Sequence, residues 1–530
     1  MKKLCERFFL YIYVLTAALF LPVLLCVIFV GSNMEYAANL KLATLLPNSV
    51  LLVIALMGAV LWLVLMRRLK MELTPGRNLI VNGVLLLLFA VLFFVNVRVA
   101  REIAFGLPWD IMVTRKIAHT IVERPLGYEY YYSMYPNNIP IIYLLSRLYR
   151  WAKEMGNYPY VFDFIWLQVN CALISLGGYF CCLTVKKLTG NVSATALGFL
   201  VYLALAGISP WKIAPYTDTY GMVFPIFCFY FYVCFRQADR VWKKYVYFAL
   251  SLAGGMIGGY IKTSVYIVVI AIFGVEIIGL LRDFRKNWKF FLPGAFLVIF
   301  LAWGEGVYTD YIIDEIGLEY NEEIEGSWHH YFLMGLNEET TGSYYSPDIA
   351  LFGKYETSKS ARNAEEWRLA MERLKERGVF GTLYFWLRKM VMTFNDGTFG
   401  WGCEVWIQDQ YPEELAGNTA LTEKLRSIFW PNSAGTGRYY TFCQLAWVFC
   451  MLGIPGVFLC RKEEREKYAV LVVGFLGVFL YQLLFEARSR YLFVFLPVLI
   501  VISVCGMQQY TFMITGTGIF GGRRKKTERI

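Results

Sequence analysis

Residues 101–140 read REIAFGLPWDIMVTRKIAHTIVERPLGYEYYYSMYPNNIP, from Arg101 to Pro140. A long apolar run, Leu79 to Val97, comes before this stretch, and further apolar runs follow it. Runs of that length belong in the hydrocarbon of a bilayer, so the quoted stretch reads as a loop at the membrane surface. Near its head Asp110 stands between Trp109 and the amphipathic IMVTRKIAH, and at its tail come clustered tyrosines and Tyr135-Pro136-Asn137-Asn138. A single carboxylate held among aromatic neighbours at a membrane face is a candidate general base. The plainer reading makes Asp110 a helix N-cap, a role that suits its residue type. On the loop alone the cap is the better account.

Composition decides what kind of chain surrounds this loop. Of the 530 residues, 58% are hydrophobic and 17% charged, and mean hydropathy is +0.48. Soluble domains average about 45–50% apolar and 25% charged. The expectation is an all-α polytopic membrane protein, with residues 1–530 forming a single integral membrane domain. Lys2, Lys3 and Arg7 precede an apolar run from Phe8 to Val30 that is too long for a signal-peptide core and ends in no A-x-A-like site. It is expected to remain as a first span. The 12 cysteines lie mostly inside apolar runs, with Cys403 almost alone in a polar stretch, so no disulfide framework is implied.

Runs near the length that crosses about 30 Å of hydrocarbon fall roughly at 8–30, 48–66, 79–98, 160–184, 192–209, 219–236, 245–261, 264–281, 290–306, 438–460, 468–485 and 491–514. That predicts about twelve transmembrane helices. Alternate connections are short and basic: Arg67-Arg68-Leu69-Lys70, Lys186-Lys187, Arg240 to Lys244, Arg282 to Lys289, Arg461 to Lys467, and the tail Arg523 to Arg529. The positive-inside rule makes these cytoplasmic, together with both termini. The net charge of +11 is then a signal of orientation and not a nucleic-acid footprint. Two shorter apolar stretches, Ile139 to Tyr149 and Val379 to Thr393, are interrupted by arginine and read as helices on, or dipping into, the outer surface.

Three outer regions remain: an opening loop at 99–159, the tight turn SPWKIAPYTD at 209–218, and a long excursion at 307–437. The excursion carries an acidic head, the segment SWHHYFLMGLNEETTGSYYSPD, a charged run from Ala364 to Arg377, and NDGTFGWGCEVW. Asp110 and Asp218 thus fall on one side, each at the mouth of a helix. Lys262 and the break Glu486-Ala487-Arg488-Ser489-Arg490-Tyr491 fall there too. Outer cations run against the orientation bias, and an anionic ligand at membrane depth accounts for them, because arginine's planar fork matches phosphate oxygens. Snorkelling, or pairing of Arg488 and Arg490 with Glu486 and the acidic loop, is the plainer alternative for each one taken singly. Gly254-Gly255-Met256-Ile257-Gly258-Gly259 lies within a span, where small residues serve close helix packing.

Three segments, PWDIM at 108–112, PYTD at 215–218 and EARSRYLFVFLP at 486–497, resemble the GT-C superfamily of integral membrane glycosyltransferases. Protein O-mannosyltransferases and the lipid A aminoarabinose transferases belong to that superfamily. SWHHYFLMGLN with the later NDGTF is similar to the outer loop of its Gram-positive members. The likeness extends to the layout of nearly the whole chain. One departure is that Trp109 stands where many members place a second carboxylate, so the paired-carboxylate and metal-assisted versions are not implied.

The resemblance implies a GT-C-like fold with surface helices. It also implies transfer of a sugar from a polyprenyl-phosphate donor to a hydroxyl of a glycan, lipid or protein, at the outer face of a bacterial plasma membrane. It makes Asp110 the base, with Asp218 orienting the acceptor or a neighbouring group, and loop 99–159 the catalytic loop. Arg488 and Arg490, with Lys262 after them, would stabilise the leaving phosphate. Trp109, Tyr491 and Asn137 would bind substrate, with Trp109 also excluding water from Asp110, and His329 and His330 are candidate contacts to either substrate, although loop histidines more often serve as solvated or capping residues. No cofactor is implied beyond the lipid-linked donor, and no His/Cys metal spacing occurs; a divalent ion has no support in the residues. Rival classes are an outer-face polysaccharide polymerase or ligase, which would lean less on a first-loop Asp, and a transporter or flippase. The latter should carry charges in mid-span and show related halves. A non-enzymatic scaffold leaves the outer cations unexplained.

Overall fold

The computed structural model describes residues 2–33, 42–69, 73–123, 129–156, 159–408 and 419–515. Lys70, parts of the opening loop (124–128 and 157–158), residues 409–418 of the long excursion, and the basic tail Arg523 to Arg529 lie outside the described residues. No strand occurs among the described residues, and the all-α expectation holds. Among the described residues ten helices are long and apolar enough to cross a membrane, the first being Cys5–Phe29 and the last Ser489–Ile514. The expected spans near 192–209 and 245–261 are also helical but fall outside that set. Val192–Gly207 is shorter and closes in a π turn. Val241–Ile261 opens on Lys243 and Lys244 and carries paired glycines, which lower its apolarity.

Local chemistry sets the helix ends. Thr74 accepts from the Arg77 N–H and Pro75 takes the first position of Pro75–Ile103, a start that proline's missing N–H favours. Asn191 accepts from the Ser193 and Ala194 N–H groups to begin Val192–Tyr202. Gly317, at φ +62°, ends the 33-residue helix Phe284–Ile316 in the left-handed conformation. At 1.5 Å per residue that helix is about 50 Å long, against about 30 Å of hydrocarbon. Its last turns therefore project beyond the bilayer, where Glu315 pairs with Arg147 and accepts from Tyr143.

Those two partners belong to Ile139–Glu154, the first helix expected at the surface. It buries Ile141, Ile142, Leu145 and Tyr149 against Trp109–Glu123 and Pro159–Thr189, and leaves Trp151 exposed. The second expected surface helix follows the charged run directly. Lys359–Phe394 is two helices meeting in a kink at Gly378, whose φ of +64° and ψ of 178° are not helical. Past the bend, exposed Val379 and Phe380 give way to buried Met390, Val391 and Phe394. Phe394 meets Phe20 and Phe475, residues from the middle of two membrane-length helices. This segment dips into the bundle.

Close packing is bought with glycine. A Cβ on Gly506 would stand 1.9 Å from the Gly453 carbonyl oxygen, so Thr436–Phe458 and Leu496–Thr515 cross on bare backbone. Gly258 works in the same way against Phe224, whose Cβ would lie 2.4 Å from an added methyl.

Charge separates the two ends of the bundle. At one end Arg236 pairs with Glu276 and Glu466, Arg282 pairs with the same Glu466, and Lys462 pairs with Glu6. The Gln237 side-chain amide donates there to the Lys187 carbonyl. Asp110, Asp218, Lys262 and Arg490 sit at the other ends of the helices that these basic loops join.

Candidate active site

At that second end a cavity of about 890 Å³ is lined by Asp110, Lys262, Arg488 and Arg490. Asp110 does not cap its helix: Trp109–Glu123 starts one residue earlier, and Asp110 lies in the first turn. Its carboxylate accepts from the Tyr131 hydroxyl at 2.9 Å and from the Tyr216 hydroxyl at 3.4 Å. Asn138 joins the two tyrosines, donating to the Tyr131 oxygen (2.9 Å) and accepting from Tyr216 (3.3 Å). Burial and the Asp110 charge push the Tyr131 phenol well above its ordinary value, which keeps it a donor. Two phenols and an amide thus fix the direction of one carboxylate.

Trp109 has φ +58°. For a residue with a Cβ this left-handed conformation costs roughly 1–2 kcal/mol, and such strain collects where a side chain must be aimed. Here it places the indole edge-on to Trp406, with ring centres 5.1 Å apart, and opposite Arg490. The Arg490 guanidinium lies 5.4 Å from the Trp109 ring, 5.7 Å from Tyr216 and 5.5 Å from Tyr491. These distances fall within the range of cation–π attraction.

Behind the cage stands Asp218, 2% exposed. Its two oxygens meet Lys262 Nζ at 2.7 Å and Arg490 Nε at 3.2 Å. One buried carboxylate between two cations leaves this triad with one net positive charge. Arg488 differs: it spans Glu404 (2.9 Å) and Glu486 (3.4 Å). Burial works against its charge, but Glu404 and Glu486 outweigh burial and hold its pKa above the ordinary value.

The arginine segment is itself held by the loop at 395–400. Asp396 accepts from the Thr398 N–H and hydroxyl (2.7 and 2.6 Å), from the Gly400 N–H (2.6 Å), and from Ser489 (3.2 Å), the residue before Arg490. Burial raises the Asp396 pKa against the pull of these donors.

Of the residues singled out in the sequence, Trp109, Asp110, Asn137, Lys262, Arg488, Arg490 and Tyr491 line the cavity together. Asp218 does not line it; the residue anchors Lys262 and Arg490 from behind, so direct contact with an acceptor does not fit its position. His329 and His330 also lie off the wall. His330 is fully buried with Nδ1 3.1 Å from Glu366, and His329 stacks on Trp328 with Nδ1 toward Ser327. The helix Trp328–Gly335 turns Trp328 and Tyr331, not the histidines, toward the cavity. Roles for Tyr131, Tyr216, Asn138, Asp396 and Glu404 escaped the sequence reading. The tyrosine cluster, PYTD and NDGTF were visible signals, yet nothing in their spacing pairs them across such separations. Among the described residues no group of three His, Cys, Asp or Glu is placed to hold a metal ion.

Residues 2–511 match the family described as "Conserved hypothetical integral membrane protein", and the chain belongs to that family. No curated protein and no solved structure matches it.

Proposed function

We propose that this member of the conserved hypothetical integral membrane protein family is a glycosyltransferase that moves a sugar from a polyprenyl phosphate to an acceptor hydroxyl. One observation carries the reading: Asp110, a carboxylate oriented by two tyrosines, shares a cavity with Lys262, Arg488 and Arg490. Attack by a hydroxyl at the anomeric carbon forms a new C–O bond and breaks the bond to the phosphate oxygen. The hydroxyl proton goes to Asp110, and the electron pair leaves with the polyprenyl phosphate. The net positive charge around Asp218 offsets the charge that develops on that phosphate, without reorganisation at the moment of reaction. The tyrosines on Asp110 orient it toward the acceptor.

The basic loops at the opposite end of the bundle support a cavity that faces outward, by the positive-inside rule. The donor, membrane lipids and an envelope glycan, lipid or protein acceptor would then be the partners. The test is turnover: the full chain in lipid nanodiscs, supplied with polyprenyl-phosphate sugars and candidate acceptors, is expected to release polyprenyl phosphate. Intact donor across the panel would overturn the reading, and movement of donor across the bilayer without cleavage would favour a flippase. A cysteine placed at position 187 and labelled from outside would overturn the orientation.

A further inference from the structure

Beside the main cavity lies a second chamber of about 240 Å³. The two share Trp109, Tyr344 and Arg488 as walls. Arg488 is the partition: Nη1 holds Glu404, which lines only the small chamber, and Nε meets Glu486, which lines only the large one. The small chamber is not built for an anion. Lys389 at its edge turns its Nζ to three carbonyls, of Gly335, Leu483 and Phe485, and Arg488 is already matched by two carboxylates. Nor is its wall purely apolar: Thr340, Thr341, Ser343 and Thr393 line it together with Glu404. At its edge Trp406 is 46% exposed and stands edge-on to Trp109.

We infer that this chamber is a binding site for a neutral polyhydroxyl ligand, a sugar ring, with Glu404 accepting hydrogen bonds from ligand hydroxyls and Trp406 offering its face to the C–H side of the ring. An amphipathic aromatic beside a few fixed polar groups is the usual means of holding such a ligand. A carboxylate half-engaged by Arg488 keeps lone pairs for two neighbouring hydroxyls. The size of the chamber suits one ring, whereas the main cavity has room for a lipid phosphate with its sugar. Calling the bound ring the acceptor rests on the transferase reading; the binding itself does not.

The experiment is saturation-transfer NMR on the full chain, in nanodiscs free of sugar-headed detergent and without any lipid-linked donor. The probes are methyl α-D-mannopyranoside, methyl β-D-glucopyranoside and methyl β-D-galactopyranoside. At least one is expected to receive saturation from the protein. Trp406→Ala should abolish most of that signal, Glu404→Gln should weaken it, and Trp406→Phe, which keeps a ring, should retain it. Trp406 is half exposed, so its replacement leaves the fold intact. Trp151→Ala, at an exposed tryptophan that lines neither cavity, should not change the signal. No transfer to any of the three glycosides, or a signal undiminished by Trp406→Ala, overturns the inference. Sugar binding with no donor turnover would sink the transferase reading and leave the subsite standing. Donor turnover with no sugar signal would do the opposite.

Discussion

The guanidinium carbon of Arg490 stands 5.4 Å from the ring centre of Trp109, the residue that delivers Asp110 into the cavity. The candidate phosphate cation therefore stands against the side chain of the residue that precedes the candidate base, and that residue has a strained backbone. Trp109→Gly separates the two effects. Glycine accepts the observed φ of +58° without strain, which offsets part of the packing lost with the indole, while one wall of the Arg490 cage is removed. Donor affinity is expected to fall by about tenfold, the scale of a desolvated cation–π contact of roughly 1–2 kcal/mol. Titration of donor binding checks this, and unchanged affinity would mean that the indole serves only packing.

Asp110→Asn keeps the acceptor oxygen that Tyr131 uses and removes the charge that takes a proton. Loss of a general base typically costs 10²–10⁴-fold in rate, with donor binding nearly unchanged. Tyr131→Phe frees one carboxylate oxygen and should cost less, since Tyr216 still reaches the other. Single-turnover rates check the order. Near wild-type turnover by Asp110→Asn would name the wrong base.

Asp218→Asn removes the shared anion between Lys262 and Arg490. Stranding buried cations costs about 3–5 kcal/mol, so this variant should be strongly destabilised. Adding Lys262→Met removes one of the two repelling charges and should recover much of the loss. Arg490→Ala leaves Asp218 its shorter pair, to Lys262; it should weaken donor binding and slow transfer, as the leaving charge goes unstabilised. Thermal midpoints together with donor binding check the set. Equal stability of Asp218→Asn and Asp218→Asn/Lys262→Met would contradict this account.

Burial pushes the Lys389 ammonium from its ordinary 10.5 down to about 7, against the pull of Glu486. Between those values the unfolded chain binds a proton that the folded chain does not, so this group's contribution falls as pH drops from about 10.5 to about 7 and is flat below. The thermal midpoint of the wild type should gain on that of Lys389→Met between pH 7 and pH 9.5. A constant difference over that range would show that the three carbonyls hold the charged form throughout.

Sequence alone determined the class of this protein and much of its layout. Apolar runs mark the spans because hydrocarbon demands continuous nonpolar length, and that is a local property. The alternation of basic loops reads just as directly, and Arg236, Arg282 and Lys462 do gather at one end. The glycines at 254–259 revealed their packing role through side-chain size alone. The count of membrane-length helices came out lower than expected, because Val192–Gly207 is short and Val241–Ile261 carries lysines and paired glycines. Only the tertiary structure decided which charges meet. Asp218 reads as a second acid at a helix mouth, yet its oxygens are taken by Lys262 and Arg490, from positions far along the chain. His330 looks available in a polar loop, and a helix carries it into full burial against Glu366. Glu404 and Asp396 drew no notice because their partners, Arg488 and Ser489, lie across many intervening residues. Hydrophobic spacing is written in neighbouring residues, whereas the pairing of buried charges depends on which helix ends the packed bundle brings together.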